Sequence, residues 1–159
     1  MEAPPLLEMC GVTKRFGATH ALRGVDLRID RGSVHALIGE NGAGKSTLMK
    51  VLSGAHPADS GTVRLAGAPY RPRGPAHARA LGVCMVYQEL AVAPDLSVME
   101  NIVLGSEPVR GPMLDRAAMR RVACDALAAV GHPGMDPEMR AGDLPIGEQQ
   151  LVEIARAVA

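Results

Sequence analysis

Hydrophobic and polar positions alternate early in the chain and change period later. "LLEMCGVTKRF" and "VDLRID" alternate as two half-buried strands lying near one another should. "SVHALIG", residues 33–39, is instead a short, mostly apolar run ending in glycine, the pattern of a buried strand. "GKSTLMKVLSG" follows with helical spacing and is closed by Gly54 at its C-terminal end. "SGTVRLAG" predicts another strand between glycines, "GPAHARALG" a short helix and "VCMVYQ" a further strand.

Beyond these the period becomes helical. Ser97 and Glu100 in "DLSVMENIVLG" have the S-x-x-E spacing of a capping box, which predicts a helix over about 98–104, stopped near Gly105. "SEPVRGPMLD" is a Pro/Gly-rich loop. Asp115 is placed to cap a helix through Val130, with Ala118, Met119, Val122, Ala126, Leu127 and Val130 on one apolar face and Gly131 at its end. "HPGMDPEMRAGD" is irregular, and the last segment opens a helix with Leu151, Val152, Ala155 and Val158 facing inward. Strands alternating with helices predict an α/β fold. The two early strands predict an antiparallel flap beside the main sheet, and the stretch 97–131 a helical subdomain.

Composition narrows the class. A length of 159 residues suits one domain, and 47% hydrophobic with 21% charged residues permits a packed core. One Phe, two Tyr and no Trp make that core aliphatic. Seventeen basic and seventeen acidic residues cancel, so no overall field attracts nucleic acid. No apolar run reaches the roughly 20 residues needed to span a bilayer, and the N-terminus lacks the pattern of a signal peptide. Cys10, Cys84 and Cys124 have no CxxC spacing and read as free thiols of a reducing cytoplasm. His20, His35, His56, His77 and His132 are scattered without metal-binding spacing and are assigned no chemistry.

Candidate chemistry concentrates in "GENGAGKST", residues 39–47, which fits G-x-x-x-x-G-K-[ST]. Gly39, Gly42 and Gly44 allow backbone angles that other residues resist, so that successive N–H groups, with Asn41 and Ala43 between them, can line an anion nest. Lys45 is placed to reach β- and γ-phosphates, Ser46 to ligate Mg²⁺, and Thr47 to donate to a nearer phosphate. The preceding apolar run and the following helical pattern supply the context this loop requires. The loop alone leaves open small-molecule kinases, GTPases and recombination ATPases.

Four segments together resemble the ATP-binding subunits of ABC transporters: "KRFGATHALRGVDLRIDRGSVHALIGENGAGKSTLMKVLSGAHPADSGTVRLAG", the glutamine loop "VYQEL", the subdomain start "LSVMENIVLG" and the signature-like "LPIGEQQLVEIARAVA". They are most similar to the subgroup that powers simple-sugar import of the ribose, galactose or xylose type. The resemblance implies a P-loop fold of ABC type with a mainly parallel sheet, an antiparallel β flap and a helical subdomain. It divides the chain into a nucleotide-binding core and flap over about 1–96, a helical subdomain over about 97–143, and the signature motif and helix over 144–159. It implies ATP and Mg²⁺ as cofactors, with Phe16 stacking on adenine and Gln88 reaching Mg²⁺ and the attacking water. Implied partners are membrane permease subunits, a second ATPase domain in tandem or in a dimer and, indirectly, an extracellular or periplasmic sugar-binding protein. Nucleic acid is not among them. The implied location is the cytoplasmic face of the cell membrane.

The signature departs from the family. Leu144, Pro145, Ile146, Gly147 and Glu148 stand where Leu-Ser, a small or apolar residue, then Gly-Gln are usual. Proline removes a hydroxyl and an N–H that would face the partner's γ-phosphate, and Glu148 places a carboxylate near a polyanion. The family also continues into a strand ending in Asp then Glu, followed by a histidine, none of which is in this sequence. The expectation is therefore a partial ATPase domain with apolar strand edges left open and low solubility. Two other readings compete: a nucleotide-binding module without turnover, and a cytosolic ABC protein with no membrane partner.

Overall fold

A computed structural model describes residues 4–87 and 90–159 of the chain. They form two compact units, Met1–Cys84 and Met85–Ala159. The first begins with the expected pair of strands, β1 (Leu7–Phe16) and β2 (Thr19–Ile29). Next comes helix α1 (Lys45–Leu52), then β3 (Ser60–Leu65), β4 (Ala68–Pro69) and the short helix α2 (Pro75–Ala80). The sheet order is β2-β1-β3-β4, antiparallel throughout. Alternation in β1 buries Leu7, Met9 and Val12, which pack with Leu22 of β2 against Leu48, Val51 and Leu52 of α1. At these burials each such side chain contributes roughly 1.5–3 kcal/mol. The two long strands bulge: Gly11, at φ 60, donates its N–H to Asp26 Oδ1 at 2.7 Å. Gly61 crosses β1 so closely that a Cβ would lie 2.6 Å from the Gly11 oxygen, so only glycine fits there.

The mainly parallel sheet implied by the resemblance is not formed among the described residues. Residues 33–39 form no regular secondary structure and join no ladder, and Val34 (100% exposed) and Ile38 (90%) face solvent. The segment "VCMVYQ" likewise forms no strand over 83–87, and Val86 and Tyr87 are exposed. An apolar run becomes a buried strand only where neighbours pair with its backbone groups, and no described segment does so here.

The second unit is helical. Ser97 caps α3 (Val98–Val103) through the predicted capping box, with Glu100 Oε2 accepting from the Ser97 N–H at 2.8 Å and Ser97 Oγ accepting from the Glu100 N–H at 3.2 Å. The loop after it holds a small hairpin, β5 (Val109–Arg110) with β6 (Met113–Leu114). Asp115 caps α4 (Arg116–Ala129) by accepting from the Ala118 N–H at 2.9 Å. A 3-10 turn at Ala141–Asp143 leads into α5 (Ile146–Val158). Val98, Met99, Ile102 and Val103 of α3 pack with Met119, Ala123, Ala126 and Leu127 of α4 and with Leu144, Val152 and Ala155. Two inward assignments change: Ala123 joins the core, and Val158 in the final turn is 57% exposed.

Candidate nucleotide-binding site

The phosphate-loop sequence adopts the conformation its glycines permit. The chain turns at 41–44 and α1 begins at Lys45, with Gly42 at φ 86 and Gly44 at φ 90. The Ala43 N–H donates to the Glu40 oxygen at 3.2 Å, which tightens the turn. Gly44 backs directly onto β2: a Cβ there would collide with the Ala21 carbonyl oxygen and lie 3.0 Å from Leu22 Cδ2. Space and backbone angle together make glycine obligatory at 44. α1 starts with no side-chain cap and no acidic residue in its first turn, so its leading N–H groups meet no anion of the chain's own. Lys45 Nζ donates to the carbonyl oxygens of Gly39 at 2.5 Å and Glu40 at 2.7 Å. The lysine is thus folded over the loop by neutral acceptors that a charged oxygen would outcompete. Ser46 is exposed and Thr47 half-buried in the first turn, while Asn41 and Ala43 are exposed in the loop. The donor set of one ammonium, two hydroxyls and backbone N–H groups suits a phosphate chain with a hard cation.

Phe16 closes β1 at the hairpin, paired with Thr19, and is 44% exposed rather than part of the core. Gly44 touches β2 at Ala21 and Leu22, two and three residues from Thr19, or about 7–10 Å along a strand. The ring and the phosphate loop therefore share one end of the hairpin. His56, given no role by sequence spacing, meets the Phe16 ring edge-on at 5.2 Å and 70°. Lys14 Nζ stands 5.6 Å from the ring centroid and pairs with Asp59 Oδ1 at 2.7 Å. The Asp59 carboxylate also accepts from the Arg15 N–H at 2.7 Å. The Lys14 hydrogen bond, then that of the Arg15 N–H, holds Asp59 below the ordinary carboxylate range.

Gln88 lies outside the described residues. The segment that follows it is anchored by Asn101, a residue without a motif to announce it. Asn101 is 1% exposed. It accepts from the Ala93 N–H at 2.8 Å and donates to the oxygens of Ala93 and Ser97, each at 3.0 Å. The same segment is stitched to the stretch before α5. Gly142 donates to the Pro94 oxygen at 3.0 Å, Ala141 to the Leu96 oxygen at 2.9 Å, and Arg140 pairs with Asp95.

In the signature stretch Leu144 is buried, and Pro145 occupies the N-cap of α5 with no side-chain cap. The Pro145 oxygen accepts from the N–H groups of Glu148 at 2.9 Å and Gln149 at 3.0 Å. Ile146 is 71% exposed, Gly147 is exposed, and Glu148 is half-buried in the first helical turn. Gln149 Nε2 donates back to the Leu144 oxygen at 2.8 Å. Cys10, Cys84 and Cys124 are free and exposed. Among the described residues no cluster suits a metal held by side chains alone, and no helix is long and apolar enough to cross a membrane.

Comparison with known proteins gives the family. The sequence profile of a family described as ABC transporter matches residues 22–159. The ribose import ATP-binding protein RbsA of Chromobacterium violaceum is 51% identical over 151 residues, covering 95% of this chain and 30% of the relative. RbsA 2 of Burkholderia pseudomallei is 54% identical over 159 residues, covering 97% of this chain and 31% of the relative. A putative ribose/galactose/methyl galactoside import ATP-binding protein of Agrobacterium fabrum is 49% identical over 151 residues, covering 95% and 30%. The chain thus spans about 30% of the length of these relatives. Among solved structures, a nucleotide-free ATP-binding cassette from an ABC transporter superposes with a TM-score of 0.81 at 28% identity, over 97% of this chain and 64% of the other.

Proposed function

Since the chain belongs to the ABC transporter family, we propose that it forms part of an ATPase that binds and hydrolyses ATP to power import of a simple sugar of the ribose or galactose class. The observation that carries this reading is Lys45, poised over the loop carbonyls at the mouth of an uncapped helix. In the proposed complex the N–H groups of Gly42, Gly44 and Lys45 surround the phosphates, Lys45 exchanges loop oxygens for phosphate oxygens, and Phe16 receives the adenine face. Ser46 and Gln88 would hold Mg²⁺, which supplies charge neutralisation on the phosphate oxygens. Gln88 would also orient the attacking water. The names of the relatives support the sugar class, and a membrane permease and a second ATPase domain follow as partners at the cytoplasmic face of the membrane. A sugar-binding protein outside the membrane would act through the permease. Within this reading, residues 1–96 form the core and flap, 97–143 the helical subdomain and 144–159 the signature helix.

The test is ribose and galactose uptake into cells carrying the full-length protein and its permease. Lys45→Ala should abolish uptake and ATP hydrolysis together. Unchanged uptake in that variant would overturn the proposal. A second reading, binding without turnover, rests on Pro145, which brings no hydroxyl to the start of α5. If Pro145→Ser and Glu148→Gln leave the ATPase rate where it was, the weakened-signature idea is wrong.

A further inference from the structure

We infer that His56 is a positioning residue for the nucleotide base, acting through Phe16; the inference rests on the nucleotide reading above. A half-exposed phenylalanine at a hairpin end has no core packing of its own to fix its ring. Here two groups do so: His56 from outside β1, and Lys14 from two residues earlier on the strand. The His56 and Phe16 rings lie 5.2 Å apart between centroids at 70°, the T-shaped arrangement in which ring quadrupoles attract. Lys14 Nζ, held to Asp59 at 2.7 Å, stands 5.6 Å from the centroid. With the ring so braced and 44% of the residue still exposed, its exposed surface is held ready for a flat π-system.

The brace belongs to the phosphate helix. The His56 N–H donates to the Lys50 oxygen at 3.1 Å, so the residue is folded back onto α1. The same connection reaches β1 through Asp59, whose N–H donates to the Thr13 oxygen at 3.0 Å and whose carboxylate takes Lys14 and the Arg15 N–H. One eight-residue helix therefore carries Lys45, Ser46 and Thr47 at its start and the support for Phe16 just past its end. Such a helix is about 12 Å long and stiff. It sets the distance between the base and phosphate subsites, so His56 favours a ligand that has both a flat base and a phosphate chain over a phosphate chain alone.

The experiment measures binding of ATP and of inorganic tripolyphosphate to the full-length protein by calorimetry, in wild type, His56→Ala, His56→Phe and Lys45→Ala. His56→Ala should weaken ATP about three- to tenfold, the size of an aromatic pair, and leave tripolyphosphate unchanged. His56→Phe, which keeps an edge-on ring, should restore ATP. Wild-type ATP affinity in His56→Ala, equal loss of both ligands, or no rescue by His56→Phe would each overturn the role of His56. Lys45→Ala should weaken both ligands; if it weakens neither, the nucleotide reading itself falls, whatever His56 does.

Discussion

Two helix starts in this chain solve the same problem in opposite ways. α3 closes its own end: Ser97 and Glu100 exchange hydrogen bonds at 3.2 and 2.8 Å, and the carboxylate lies where the helix dipole favours it. α1 leaves its end open, with a left-handed Gly44 at the cap position and no side-chain acceptor. Free N–H groups at a helix start weaken the fold unless something else accepts from them. The difference teaches where to look for a ligand: α3 has no unmet donors to offer one, and α1 is built around them. α5 lies between these cases, with an acidic residue in its first turn and Pro145 where a cap would be.

The largest effect expected from breaking this contrast is at Lys45. Lys45→Ala removes the charged donor of the open start and should lower ATP affinity at least tenfold, following the roughly 1.5–3 kcal/mol of a charge-assisted hydrogen bond. Equilibrium dialysis with labelled ATP checks it, and an unchanged affinity would contradict the open-start reading. Next is Gly44→Ala, which forces a methyl group against the Ala21 oxygen at φ 90. It should destabilise the first unit by about 2–3 kcal/mol, seen as a lower thermal midpoint, with nucleotide binding lost alongside.

Closing off the contrast from the other side gives smaller effects. Ser97→Ala should cost about 1 kcal/mol in denaturant unfolding and leave ATP affinity untouched, because that start serves the fold alone. Its pH dependence follows from Glu100, held below the ordinary carboxylate range first by the Ser97 N–H and then by the Ser97 hydroxyl. A depressed folded pKa contributes stability that is fully present above the ordinary value near 4.5 and is lost as pH falls through the lowered folded value. The stability gap between wild type and Glu100→Gln should therefore narrow as the solution is acidified below that ordinary value; a gap that stays constant would show that the box is not held by the charge. The smallest change expected is a gain. Pro145→Ser places a serine three residues before Glu148 and recreates the S-x-x-E arrangement of α3 at the start of α5. It should stabilise the second unit by roughly 0.5–1 kcal/mol, read from the urea midpoint.

Local chemistry was legible in the chain because it depends on neighbours in sequence. The capping box and the Asp115 cap are each decided by residues three positions apart, and both form as spacing predicts; α1 likewise begins inside the glycine-rich motif. Non-local relations were not legible. Residues 33–39 have the composition of a buried strand, yet strand formation needs a partner, and among the described residues they find none. Asn101 reads as one polar residue inside an apolar run. Only the fold shows it buried, taking up the backbone groups of Ala93 and Ser97.

Sequence by itself determined the family, the glycine-rich turn that opens α1 and most helix ends, because each is written in short-range patterns of glycine, hydroxyl and charge. Tertiary structure alone decided that Phe16 is half-exposed beside the phosphate loop and that His56 braces it from forty residues away. The reason is physical: spacing along the chain constrains backbone conformation over a turn or two, whereas an edge-on ring contact exists only after a helix, a connection and a hairpin have packed together.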